Sequence, residues 1–156
     1  MRKGDSGSAE KITPLTMDVY AENVLDHYRH PRNKSQEPKT KVQDSAIIHT
    51  EENLSCGDTV TVHLAIENDR ITSISWDGTG CAISQAAMSM LSEESSGKSI
   101  REMEVLMPQN VYDLLGVPIG PRRTKCALLG LHTVKNAMRK HAGKEMQRWT
   151  ETMGSS

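Results

Sequence analysis

Between Thr59 and Glu67, Val60, Val62, Leu64 and Ile66 alternate strictly with Thr59, Thr61, His63 and Ala65. A period of two is what an extended strand with one buried face requires, and no helix accommodates it. Two further runs rich in β-branched residues flank this one, Ala46 to Thr50 and Arg70 to Trp76, and the Asn68-Asp69 pair is a hairpin signal. The spacing predicts a three-stranded antiparallel meander with one face left polar by Thr59, Thr61 and His63. The apolar face must be covered by helices, and the rest of the chain supplies them.

The stretch WDGTGCAISQAAMSMLSEESSG, Trp76 to Gly97, reads as a strand ending in a turn made by Asp77-Gly78 and Thr79-Gly80, followed at once by a helix with Cys81 at its start. Before the sheet, Val19, Tyr20, Val24, Leu25 and Tyr28 recur at helical spacing from an N-cap at Thr16 or Asp18, and Pro31 ends that helix. Residues 32–44 read as a polar loop. After Gly97, Ser99 and Glu102 form a capping box for a short helix closed by Pro108, and Asn110 to Leu115 makes another helical turn. A last helix follows the Gly/Pro-rich connection GVPIGP, with Thr124 as N-cap, a stripe of Leu128, Leu131, Val134 and Met138, and Gly143 as its stop. Strands early and helices late define an α+β domain, a three-stranded antiparallel sheet with helices packed on one face. Its bounds are 14–142; residues 1–13 lack periodicity and are expected to be disordered, and 143–156 form a C-terminal tail that frays or adds one helical turn.

At 156 residues one hydrophobic core is affordable and two are not. Nineteen basic residues against 20 acidic ones leave a net charge of -1, with no Phe, three Tyr and two Trp, so neither an electrostatic footprint nor stacking surfaces for nucleic acid are present. No run is long enough to span a membrane and the N-terminal stretch lacks a secretory h-region, which points to a cytoplasmic protein with no membrane partner. Three cysteines cannot all pair in one chain, and in a reducing compartment widely spaced thiols serve as ligands or nucleophiles more often than as disulfides.

Each cysteine falls at the end of an element. Cys81 opens a helix, where unpaired N–H groups and the dipole favour a thiolate, although a buried structural cysteine accounts for the position equally well. Cys56-Gly57-Asp58 sits between the first two strands, where Gly57 permits a sharp turn; alone, Asp58 could simply satisfy turn N–H groups. Cys126 begins the last helix beside Arg122, Arg123 and Lys125, cations that favour its thiolate. The separations of 25 and 45 residues match no local zinc motif, so a shared site would have to be assembled by the fold. Three thiolates and one carboxylate would complete a four-coordinate shell for zinc or iron, with Asp58 its least thiophilic member. The six histidines are weaker candidates: His63 lies on the polar strand face, and His27, His30, His132 and His141 lie on the first and last helices. The Met88/Met90 and Met103/Met107 pairs read as core fillers.

The segments LDHYRHPRN, NLSCGDTVTVHLAIENDRI, WDGTGCAISQAAMSMLSE and RTKCALL, in that order from about Tyr20 to about Lys140, closely resemble the U-type iron–sulfur cluster assembly proteins, the IscU, SufU and NifU N-terminal family. The resemblance implies a metal or cluster site at Cys56, Asp58, Cys81 and Cys126, holding Zn2+ or Fe2+ or a transient [2Fe-2S] cluster. It also implies a cysteine desulfurase as sulfur donor, and acceptor apoproteins or downstream cluster carriers as recipients. Branch features are mixed. Lys125 and Ile119-Gly120-Pro121-Arg122-Arg123 stand where the scaffold branch has a His and a Leu-Pro-Pro-Val-Lys motif, which resembles SufU and argues against a dedicated Hsp70-type chaperone. The 45-residue step between the second and third cysteines is scaffold-like. Cys56, on its loop, is the expected sulfur acceptor, with Cys126 the runner-up and Lys125 placed just behind the ligands. The alternatives are a SufU-like zinc-dependent sulfur carrier, which would carry sulfurtransferase activity, and a structural zinc module used only for interaction.

Overall fold

The computed structural model describes residues 14–35 and 46–154, with side chains from residue 21 onward. The expected N-terminal tail and most of the 32–44 loop lie outside the described residues. Helix α1 (Pro14–Arg29) is followed by strands β1 (Ala46–Asn53), β2 (Asp58–Glu67) and β3 (Arg70–Thr79), then helices α2 (Ala82–Ser95), α3 (Ile100–Glu104), α4 (Pro108–Leu115), α5 (Thr124–His141) and α6 (Trp149–Thr152). The sheet has the order β1-β2-β3 with both pairs antiparallel. Its tight hairpin is made by Asn68 and Asp69, both with positive φ (51° and 60°), the backbone that a two-residue loop needs to match the strand twist.

Val60, Val62, Leu64, Ile74 and Trp76 share the buried face of the sheet. Helix α5 packs over β1 and β2, α2 packs beside it against β3, and α1 lies on α2. The two central helices approach closely at Gly130: a Cβ there would lie 2.8 Å from the Met88 sulfur and 3.3 Å from its Cα. The expected α+β layering is therefore present. The capping box is formed as well, with Ser99 Oγ accepting from Glu102 N and Glu102 Oε1 accepting from Ser99 N.

Several boundaries differ from the sequence expectation, each for a physical reason. Strand β1 runs three residues past Thr50, because its ladder with β2 continues to Asn53 opposite Asp58. Strand β3 runs through Asp77-Gly78-Thr79, pairing Gly78 with Val60, and a Cβ at Gly78 would lie 2.4 Å from the Thr59 carbonyl oxygen. The turn is left to Gly80 (φ 149°). Helix α1 starts at Pro14, ahead of Thr16, and Pro108 opens α4 where it was expected to close the preceding segment; proline fits the first helical turn, where its missing N–H is not needed. Thr124 is the first residue of α5 and follows a 3-10 turn at Pro121–Arg123.

The second face of the sheet is less bare than the alternation suggested, since His63, Ala65 and Ser75 are buried there. Met88, Met90 and Met103 are core, whereas Met107 is exposed. The chain beyond Gly143 docks onto α5: Trp149 stacks on the His132 ring with centroids 4.1 Å apart, and Thr152 is buried against His132. That contact needs a partner 17 residues upstream, which local periodicity does not reveal. Among the described residues no helix is long and apolar enough to cross a membrane.

Candidate metal centre

Four elements converge at one end of the sheet. The β1–β2 loop carries Cys56; the first residue of β2 is Asp58; and the N-termini of α2 and α5 bring Cys81, the N-cap, and Cys126, in the first turn. The loop is folded back on the end of β1, with the N–H groups of Cys56 and Gly57 both donating to the Asn53 carbonyl (3.1 and 2.8 Å). Gly57 (φ 74°) supplies the left-handed turn this requires.

The ligand atoms of Cys56, Asp58 and Cys126 all lie within 4.8 Å of one another. Cys126 Sγ is 3.4 Å from Cys56 Sγ. Cys81 joins through Asp58, whose Oδ1 accepts from Cys81 N at 3.2 Å while Oδ2 lies 3.8 Å from Cys81 Sγ. Asp58 thus sits at the positive end of α2, where a carboxylate is favoured, and is only 2 % exposed. Gly80 makes room for it: a Cβ there would fall 2.5 Å from Asp58 Oδ1. Around a tetrahedral zinc at ordinary bond lengths, two thiolate sulfurs stand about 3.8 Å apart and a sulfur and a carboxylate oxygen about 3.5 Å. The two edges Cys126 Sγ–Cys56 Sγ and Cys81 Sγ–Asp58 Oδ2 are within a few tenths of an ångström of these, so Cys56, Asp58 and Cys126 form a donor group suited to a metal ion, with Cys81 outside that group and reaching it through Asp58.

Exposure is graded across the site. Cys56 is exposed, Cys81 half-buried and Cys126 buried. Cys56, Asp58, Cys81 and Cys126 line an open groove of about 440 Å³ with Gly57, Gly80, Arg122 and Arg123. A second groove borders Cys56 and includes Lys125, Arg122 and Met153.

The electrostatics correct one sequence expectation. Burial pushes the Cys126 thiol well above its ordinary range, and contact with Cys56, Asp58 and Cys81 pushes it further, despite the neighbouring cations. A metal ion held here would have to displace the proton of a buried thiol. The Lys125 ammonium lies over the Trp149 ring, 5.7 Å from the centroid, and Lys125 lines the groove that borders Cys56.

Among the described residues, no histidine joins the ligand group. His27 is buried against Ser89 on α2, and His132 lies between Thr152 and Glu51. The HPRN segment next to His27 is a clip holding α2 to β3: Arg32 N donates to Ser89 Oγ, Trp76 Nε1 donates to the Arg32 carbonyl, and Asn33 Nδ2 donates to Ser92 Oγ. Sequence reasoning missed Asn53, whose side-chain nitrogen lies 3.8 Å from Cys126 Sγ. Extending the β1 alternation through His49 and Glu51 would have put Asn53 on the covered face, the one signal available.

The structure defines a small α+β domain that gathers three thiols and a carboxylate at the end of its sheet, around two helix N-termini. The family model for the NifU-like N-terminal domain matches residues 19–148. The chain thus belongs to the NifU-like N-terminal family of U-type iron–sulfur cluster assembly proteins. It is 28 % identical to the iron–sulfur cluster assembly scaffold protein IscU of Thermotoga maritima, over 78 % of this chain and 94 % of that one. It is also 28 % identical to the zinc-dependent sulfurtransferase SufU of Bacillus subtilis, over 80 % of this chain and 92 % of that one. The crystal structure of a NifU-like protein (N-terminal) from Brucella abortus shares the fold, with a TM-score of 0.62 at 21 % identity, covering 82 % of this chain and 97 % of that chain.

Proposed function

We propose that this protein works in iron–sulfur cluster assembly: it accepts sulfur from a cysteine desulfurase and holds zinc or iron, or a nascent [2Fe-2S] cluster, at Cys56, Asp58, Cys81 and Cys126. The observation that carries this reading is the Cys56/Asp58/Cys126 group within 4.8 Å, opening onto a groove, with Cys81 attached through Asp58. A metal ion bound there supplies Lewis acidity and keeps the thiolates deprotonated at neutral pH. The cluster itself is cargo, passed to an apoprotein or a downstream carrier.

Cys56 is the acceptor. Its exposed thiolate attacks the outer sulfur of a persulfide on the desulfurase; a new S–S bond forms on Cys56, the donor's S–S bond breaks, and the electron pair leaves with the donor thiolate. Cys126, the runner-up, is buried and so less open to that approach. Incubating each Cys→Ser variant with desulfurase and cysteine, then locating the added sulfur by mass spectrometry, tests the assignment. Undiminished persulfide on Cys56→Ser would refute it.

A second reading, a SufU-like zinc-dependent sulfur carrier that builds no cluster, is favoured by the Lys125 and Arg122-Arg123 features, since the 28 % identity to a relative of each kind favours neither. Metal and sulfide analysis with an absorbance spectrum on anaerobically purified protein separates the two. Iron with acid-labile sulfide supports the scaffold, and zinc without a visible band supports the carrier. A chain that unfolds when chelated would instead be a structural zinc module.

A further inference from the structure

Asn53 is the last residue of β1 and pairs with Asp58 in the ladder. Its backbone carbonyl accepts from Cys56 N and Gly57 N, and its side-chain nitrogen points at Cys126 Sγ from 3.8 Å. One residue therefore touches the elements carrying three of the four candidate ligands. Its side chain is 2 % exposed, and among the described residues the Cys126 sulfur is the only hydrogen-bond partner of that amide.

A buried amide whose partner is a neutral thiol is poorly satisfied, because a thiol sulfur is a weak acceptor. A thiolate is a much better one: hydrogen bonds to an ionised acceptor are shorter and roughly twice as strong. The amide is thus matched to the deprotonated, metal-bound form of Cys126 and mismatched to the neutral thiol. Outer-shell donors of this kind fix a ligand's orientation and withdraw electron density from it.

We propose that Asn53 is a positioning residue of the metal centre: its amide donates an N–H···S hydrogen bond to metal-bound Cys126 while its backbone carbonyl holds the Cys56 loop in register with Asp58. This rests on the metal-site reading above, but concerns a residue that reading does not use. The two functions separate cleanly, since side-chain substitution removes the donor and leaves the carbonyl in place.

Cobalt(II) is the probe, because a thiolate-bound cobalt ion gives a sulfur-to-metal charge-transfer band whose energy falls as electron density on the sulfur rises. Wild-type protein, Asn53→Leu, which approximates the shape without a donor, and Asn53→Ala, which remains available if the leucine does not fit, are each titrated with cobalt. The expected result is a band displaced to longer wavelength in the variants, together with cobalt affinity weakened about tenfold or more, as for other outer-shell substitutions. A band at the wild-type wavelength with unchanged affinity in both variants overturns the role of Asn53. Wild-type protein that takes up cobalt without any thiolate band overturns the metal-site reading itself, and is a different result.

Discussion

Gly80→Ala should damage this protein far more than Gly57→Ala, although both glycines have positive φ and flank the same site. At Gly57 nothing lies within 4 Å of a built Cβ, so alanine suffers only the left-handed backbone, about 1–2 kcal/mol. At Gly80 the backbone (φ 149°) is also unfavourable, and the methyl would sit 2.5, 2.6 and 2.9 Å from the Asp58 Oδ1, Cγ and Cβ atoms. Asp58 is buried and fixed in the β1–β2 ladder, so its carboxylate can yield only by rotating off Cys81 N. Backbone strain of about 1–3 kcal/mol and a lost charge-assisted hydrogen bond of about 1.5–3 kcal/mol give a total of roughly 3–5 kcal/mol, allowing for overlap. At about 2–4 °C per kcal/mol for a domain of this size, the metal-free Gly80→Ala protein should melt about 6–20 °C below wild type. Urea unfolding of both variants at neutral pH, with metal titration of whatever remains folded, is the assay. Gly80→Ala no less stable than Gly57→Ala, with metal affinity intact, would mean that Asp58 is not held as described.

Asp58→Ala should keep the fold and release its metal or cluster more slowly to a chelator, because a carboxylate is a harder, more exchangeable ligand than sulfur; faster loss counts against the idea. Stability should fall as pH drops below the ordinary histidine value of 6.5, because burial depresses His27, His63 and His132 in the folded state while the unfolded chain takes up protons freely. Equilibrium unfolding from pH 7.5 to 5 follows this decline, and replacing His132 with Gln should flatten it. Trp149→Ala, which removes a half-buried ring stacked on His132, should cost about 2 kcal/mol, read as a melting point lower by about 4–8 °C, while leaving the metal-binding stoichiometry unchanged.

The sheet, its hairpin and the Ser99/Glu102 capping box were legible because each is a local pattern: alternation, a turn pair and a reciprocal cap. The residues Cys56, Asp58, Cys81 and Cys126 stood out by type and by their positions at element ends. Their mutual distances did not, since contacts across 70 residues, such as Cys126 to Cys56, depend on how helices sit on a sheet. The surroundings of Cys126 are hidden for the same reason. Adjacent cations are visible in sequence, whereas the burial that outweighs them is not. Asp77-Gly78-Thr79 looked like a turn, yet β2 extends far enough to hold it in the ladder. The contact of Lys125 with an aromatic ring 24 residues downstream is equally invisible to local pattern.

The close approach at Gly130 has its own meaning. It lies one turn beyond Cys126 on α5 and touches Met88 on α2, the helix that Cys81 opens. The span between two of the sulfurs is therefore gauged in the oily interior, by how deeply one helix settles against the other. A larger residue at Gly130 would leave all four candidate residues in place by name and still push apart the two helices whose starts carry Cys81 and Cys126. The calibre of the site is written into a residue with no side chain.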